Sequence, residues 1–185
     1  MLDNVFNVLG LDPGNNLGVS ILSVDCVTLE IVGIHTFTCV LDKFIDKDNS
    51  NIMLEKWLVL EDIVRDLSSN YRPSIVGMEA AFLNLRYPKA IITLGSYTTV
   101  LEMCLHKYNR YVKVFKYAPK YVKKTVGVGY ADKEDMLNYM SNNKEINKHI
   151  DLVDRTEHEV DATAIAYTAL LEIRKYPYVL YSIGG

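Results

Sequence analysis

Val8-Leu9-Gly10-Leu11-Asp12-Pro13-Gly14-Asn15-Asn16-Leu17-Gly18-Val19-Ser20-Ile21 is the stretch whose reading decides the fold. Two segments rich in aliphatic and β-branched residues flank a Pro-Gly-Asn-Asn-Leu-Gly punctuation, the pattern of a strand, a tight turn and a second strand. Asp12 is the odd residue in it. Pro13 disfavours helical geometry in the residue before it, so Asp12 belongs to the end of the first strand. A carboxylate fixed on a buried strand is costly unless something pairs with it. Two readings fit. In one, the carboxylate caps the backbone of Gly14 or Asn15 as an Asx-type turn. In the other it is a metal ligand or a phosphate-loop acid, which needs partners elsewhere in the chain.

Around this stretch, 185 residues that are 49% hydrophobic and 23% charged predict one globular domain over 1–185 with a sizeable core. No run approaches the roughly 18 uninterrupted apolar residues of a membrane span. Met1-Leu2-Asp3-Asn4 has neither the basic region nor the apolar segment of a secretory signal. Cys26, Cys39 and Cys104 are odd in number and far apart, without C-x-x-C spacing. That argues against a disulfide framework and a zinc site, and for a reducing compartment.

A net charge of −3 makes no global case for nucleic acid, but the charges are unevenly placed. Met103 to Ala131 holds no acidic residue, while Lys107, Arg110, Lys113, Lys116, Lys120, Lys123 and Lys124 alternate with Tyr108, Tyr111, Phe115, Tyr117 and Tyr121. Such a patch serves either as a solvated basic face or as a surface for phosphates and stacked bases.

The rest of the chain reads as one more strand and then alternating helices and strands. The third strand spans Glu30 to Val40, and a polar linker, Asp42 to Ser50, leads to a helix over Ile52–Ser69. Leu54, Trp57, Leu58, Glu61 and Val64 follow helical spacing there. Ser74 to Glu79 is a short apolar strand that stops at a carboxylate, as the first strand stops at Asp12. Pro88 to Lys107 is a long helix with Ile91, Leu94, Thr98, Leu101 and Leu105 on one stripe, and a second apolar edge of Ile92, Tyr97 and Val100 open to a partner subunit. A strand over Val112–Phe115 precedes a short basic helix from Pro119 to Lys124. Asp132 is a good N-cap for a helix through Met140. Asn142 to Asp154 reads as a polar connection, and Glu157 to Arg174 as the final helix.

That last helix supplies the partners Asp12 requires. His158 and Asp161 are three apart and Glu157 and Asp161 four apart, so each pair shares a helix face. The small, apolar Ala162-Thr163-Ala164-Ile165-Ala166 beyond them places this end against the sheet. An acidic first turn that only complements the helix dipole is the simpler alternative for these residues taken alone. Two strands that each end in an acid make a cluster of Asp12, Glu79, Asp161 and either His158 or Glu157 the better account. Carboxylates crowded together need cations, and an oxygen-rich set suits Mg²⁺. Two such ions about 3.5 to 4 Å apart clamp the attacking and leaving oxygens of a phosphodiester. The expected chemistry is that of a metal-dependent nuclease.

Five stretches carry a family resemblance: Leu9-Gly10-Leu11-Asp12-Pro13-Gly14, Val76-Gly77-Met78-Glu79-Ala80-Ala81-Phe82, Tyr117 to Gly127, Ala131-Asp132-Lys133 and His158 to Ala166. In order and spacing they resemble the RuvC family of Holliday junction resolvases, including phage-type members. The resemblance implies an α/β, ribonuclease H-like fold with a five-stranded mixed β-sheet flanked by α-helices. It also implies a homodimer that nicks four-way DNA junctions symmetrically and leaves 5′-phosphates, with two Mg²⁺ per site and Mn²⁺ as a substitute. Asp12, Glu79 and Asp161 match the family's metal-binding acids. His158 stands where many members have a fourth aspartate and some a histidine, so it is carried as a catalytic and metal residue with Glu157 as its rival. Phe82 matches an aromatic that stacks on unpaired bases at the junction. Lys123 and Lys133 match basic residues near the scissile phosphate, with Lys133 counted among the catalytic residues, and Lys120 and Lys124 are expected to touch the DNA backbone. The long helix after Phe82 matches the family's dimer-forming element.

The implied setting is the cytoplasm of a bacterium or of a phage-infected host. No branch-migration partner can be named from the motifs. Asp12-x-Gly14-x-x-x-Gly18 also resembles the first phosphate loop of actin-like ATPases, but the chain has no duplicated half with a second such turn. A broader fork or flap endonuclease, an RNA-processing ribonuclease H-like enzyme and a non-catalytic binder of branched DNA are the remaining alternatives.

Overall fold

The opening hairpin forms as expected in the computed structural model, which describes residues 4–46, 48, 50–81, 88–127 and 129–178. Strand β1 (Val5–Asp12) pairs antiparallel with β2 (Asn16–Asp25), in a register that sets Asp12 opposite Gly18. β3 (Ile31–Val40) continues the meander on the far side of β2. On the other side of β1 lie β4 (Ile75–Glu79) and then β5 (Lys113–Tyr117), both parallel to it. The result is a mixed five-stranded sheet in the order β3-β2-β1-β4-β5.

Helices cover both faces of this sheet, and the period of two along each strand assigns every residue to one face. Leu9, Leu11, Val19, Ile21, Val76 and Met78 pack under α1 (Ile52–Tyr71) and α2 (Pro88–Tyr108). Val8, Leu22, Val24 and Ile75 face α6 (Glu157–Lys175), joined in that core by residues of α3 (Pro119–Val126) and α4 (Lys133–Asn142). By the same alternation Gly10 and Asp12 of β1, and Gly77 and Glu79 of β4, belong to the α6 face.

Several expectations shift in detail. α1 buries Leu60, Val64 and Leu67, with Met53, Trp57, Ile63 and Tyr71 partly covered, whereas Leu54 and Leu58 are 43% and 49% exposed. The apolar residues of this helix fill two adjacent stripes, and the sheet takes the one at 53, 57, 60, 64, 67 and 71. Ser68-Ser69-Asn70 continue the helix, which stops at Arg72 in left-handed geometry (φ 45°). In α2, Tyr97 is buried rather than on an outer edge and Val100 is half-buried against the core; among the described side chains of this helix, Ile92 and Met103 are the exposed large apolar ones, at 73% and 66%. The polar connection after α4 contains a single helical turn, α5 (Lys144–Asn147), because Asn143 caps it through Glu145 N and Ile146 N while Ile146 anchors it in the core. Asp132 caps α4 as expected, in a reciprocal box with Asp135.

Candidate active site

Glycine lets α6 rest directly on the sheet beside the acids. A Cβ on Gly10 would lie 2.0 Å from the carbonyl oxygen of Ala162, and one on Gly18 would lie 2.1 Å from that of His158. Only a residue without a side chain permits either approach. Gly10 therefore seats the alanine-rich middle of α6 two residues before Asp12, and Gly18, directly opposite Asp12, seats its first turn. Thr156 caps that turn through Glu159 N. On β4, Leu11 pairs with Met78, so Asp12 and Glu79 leave the sheet side by side at the same edge. Gly77 likewise stands two residues before Glu79 on the α6 face, in a looser seat where a Cβ would lie 3.1 Å from the Ile165 carbonyl oxygen.

The turn after Asp12 is anchored from behind. Asn15 Nδ2 donates to Asp42 Oδ2 at 2.6 Å, Lys56 Nζ donates to Asn15 Oδ1 at 2.6 Å, and Lys56 pairs with Asp42 at 2.8 Å. The Asp12 carboxylate does not cap this turn; its Oδ2 lies 2.8 Å from His158 Nδ1. His158 Nε2 stands 3.4 Å from Asn16 Nδ2 and 3.8 Å from Glu157 Oε1. Glu157 itself pairs with Lys133. Of the two rivals on α6, His158 is thus the one joined to Asp12.

Electrostatically the three acids behave as one crowded set. Burial raises the Glu79 carboxyl to about 7, and the charges of Asp12 and Asp161 add to the rise while Lys123 opposes it. Asp161 is raised to about 6, again chiefly by burial and then by Asp12. Burial also raises Asp12, with the His158 contact working the other way. Among the described residues no three His, Cys, Asp or Glu side chains are arranged to hold one metal ion. His158 engages the Asp12 carboxylate. The donor chemistry nonetheless fits a hard divalent cation: three carboxylates on rigid elements, each penalised for its charge, and a neighbouring imidazole.

Two of the expected basic residues adjoin this set. Lys123 Nζ donates to Ala131 O at 2.6 Å and lines a cavity of about 50 Å³ with Glu79 and Asp161. Lys133 is exposed and lies close enough to feel Asp12 and Asp161. Lys120 and Lys124 are exposed on α3, with the Lys120 ammonium 5.0 Å from the centre of the Tyr130 ring. Phe82 lies outside the described residues. The basic, aromatic run is not a single surface: Lys107 pairs with Glu61, Lys116 with Glu102, and the Tyr117 and Tyr121 hydroxyls both donate to Glu172. Asn16 and Arg155 were not singled out by sequence reasoning. Asn16 reads as turn filler 142 residues from His158, and Arg155 as one more charge in a polar loop.

The fold and its site define the class first: an α/β protein of the ribonuclease H-like type. Residues 8–169 match the family model "Crossover junction endodeoxyribonuclease RuvC". The RuvC crossover junction endodeoxyribonuclease of Ehrlichia canis (strain Jake) is 33% identical over 132 residues, covering 70% of this chain and 77% of that protein. Thermus thermophilus RuvC superposes with a TM-score of 0.70 at 21% identity, over 92% of this chain and 96% of the other. T. thermophilus RuvC in complex with a Holliday junction substrate gives 0.69 at 19% identity, over 92% and 97%. The chain belongs to the RuvC family of crossover junction endodeoxyribonucleases. No helix among the described residues is long and apolar enough to cross a membrane.

Proposed function

We propose that the protein resolves four-way DNA junctions, as a homodimer, by paired and symmetric metal-assisted nicks that leave 5′-phosphate and 3′-hydroxyl ends. The observation that carries this reading is the meeting, in a chain of this family, of Asp12 and Glu79 at one sheet edge with Asp161 and His158 on the helix laid across it. Asp12, Glu79 and Asp161, with His158 beside them, would hold two Mg²⁺ ions, which Mn²⁺ replaces. Bound there, the metal supplies charge neutralisation at the phosphodiester and acidifies the attacking water.

The protein's own groups do the rest. His158 Nδ1 is committed to Asp12 Oδ2, which fixes the ring and leaves Nε2 to accept a proton, contact a water or join the metal set. Lys133 and Lys123 stand on either side of Asp161 to take phosphate charge. Lys120 and Lys124, exposed on α3, extend the contact along the DNA backbone. Ile92 and Met103, three turns apart on one face of α2, would meet their counterparts in a second copy. A two-fold enzyme matches the two-fold symmetry of a junction. The working compartment is the cytoplasm of a bacterium or of a phage-infected host, and 1–185 acts as one nuclease domain.

The test is substitution of single ligands. Asp12→Asn and Asp161→Asn are expected to abolish cutting of a synthetic four-way junction while its binding, measured by gel shift, stays within about threefold, about 0.7 kcal/mol. Residual cleavage above about a hundredth of wild type would remove these residues from the reaction.

A further inference from the structure

Arg155 shares a cavity with Asp161, and among the described residues its guanidinium makes no hydrogen bond. Its Nη1 lies 3.6 Å from Glu159 Oε2, an ion-pair distance that is too long for a hydrogen bond. Among the described residues no other partner is recorded for its guanidinium. Glu159 is only 7% exposed, and its Oε1 takes the Thr156 hydroxyl at 3.2 Å and the Thr38 hydroxyl at 3.4 Å. The other oxygen, Oε2, is buried with no hydrogen bond. A buried carboxylate so placed requires a nearby cation, and it holds Arg155 at the mouth of the helix. Lys133, Glu134, Leu137, Arg155, Glu157, Val160 and Asp161 are walls of one cavity of about 240 Å³. Asp161 is common to that cavity and to the acid cluster, so whatever fills the cavity adjoins the reacting phosphate.

We propose that Arg155 is a substrate-binding residue: its guanidinium takes a DNA backbone phosphate adjoining the one that is cut. This rests on the nuclease reading above. The planar fork of a guanidinium suits two oxygens of one phosphate, and an ion pair with Glu159 at 3.6 Å leaves its donors for them. Lys133 is held in parallel by Glu157, so the cavity sets two cations, each paired with the first turn of α6, among the carboxylates of Glu134, Glu157 and Asp161. A nucleic-acid strand running past Asp161 would meet both.

The test is the salt dependence of binding to a fluorescent four-way junction by the full-length protein in EDTA, with cleavage measured separately in Mg²⁺. Arg155→Gln is expected to bind about tenfold more weakly at roughly 0.1 M salt, the loss of one charge-assisted contact. The slope of log affinity against log salt should become shallower by about 0.9, one phosphate's worth of released counterions. At subsaturating junction the cleavage rate in Mg²⁺ should fall in step with binding, by about tenfold. Arg155→Lys, which keeps the charge, should restore the slope. An unchanged slope and affinity in a folded Arg155→Gln protein, checked by its thermal midpoint, would overturn the assignment. A wild-type protein that neither binds nor cuts junctions would bring down the nuclease reading, and this inference with it.

Discussion

Glu79 and Asp161 hold their protons to higher pH than free carboxyls do, and that has a measurable sign. Without metal, Glu79 is raised to about 7 and Asp161 to about 6, so between the ordinary carboxyl range and these values the folded protein binds more protons than the unfolded chain. The stability this cluster contributes is present in full below the unfolded pKa and is lost as pH rises through about 6 and 7. In EDTA the thermal midpoint should therefore fall by a few degrees between about pH 5 and pH 8 from this source, and Glu79→Gln should flatten the fall. Mg²⁺ should restore the midpoint at the alkaline end and act little at the acid end, where protons compete with it. Thermal scans of both proteins check this, and a wild-type midpoint that metal raises equally at both ends would contradict it. His158 is the second residue to test. His158→Asp keeps an anionic oxygen donor and should retain cutting, whereas His158→Ala should lose roughly 10- to 100-fold in rate. That Asp12, Glu79 and Asp161 lie near one another was legible in the sequence, because two end strands and one stands early on the last helix; the pairing of His158 with Asp12 was not, since spacing left Glu157 equally placed.

Element packing decides how closely those residues approach. Gly10→Ala puts a methyl group into the backbone of α6 at Ala162, and both partners belong to rigid, paired elements. Overpacking of this kind costs about 1 to 3 kcal/mol or more. Chemical denaturation should report that loss, and cleavage should fall with it because the helix that moves carries His158 and Asp161; wild-type stability in Gly10→Ala would refute the close seat. The existence and order of nearly every element were legible from hydrophobic periodicity and from Gly, Pro and Asp punctuation. The phase of α1 was not, because Leu54 and Leu58 mimic a core stripe that the sheet does not use. The continuity of the basic run was not legible either: α2, β5 and α3 point its lysines in different directions, and Glu61 and Glu102 neutralise two of them.

For the whole molecule, the exposed apolar face of α2 is where symmetry would enter. Ile92→Glu combined with Met103→Glu should convert a dimer to a monomer in sedimentation analysis and abolish paired cutting; a double variant that sediments as wild type would move the interface elsewhere. The two-fold arrangement and the junction preference rest on family membership more than on any residue pattern, since a single chain records its own core and not its partner. The most direct test is cleavage, in Mg²⁺, of an end-labelled immobile four-way junction beside a fork, a flap, a linear duplex and an RNA–DNA hybrid, with wild type and Asp12→Asn. The account predicts symmetric nicks in opposite strands of the junction, absent in Asp12→Asn, and little cutting of the linear duplex and the hybrid. Preferential cutting of the hybrid would contradict it, leaving the ribonuclease H-like fold with a different substrate.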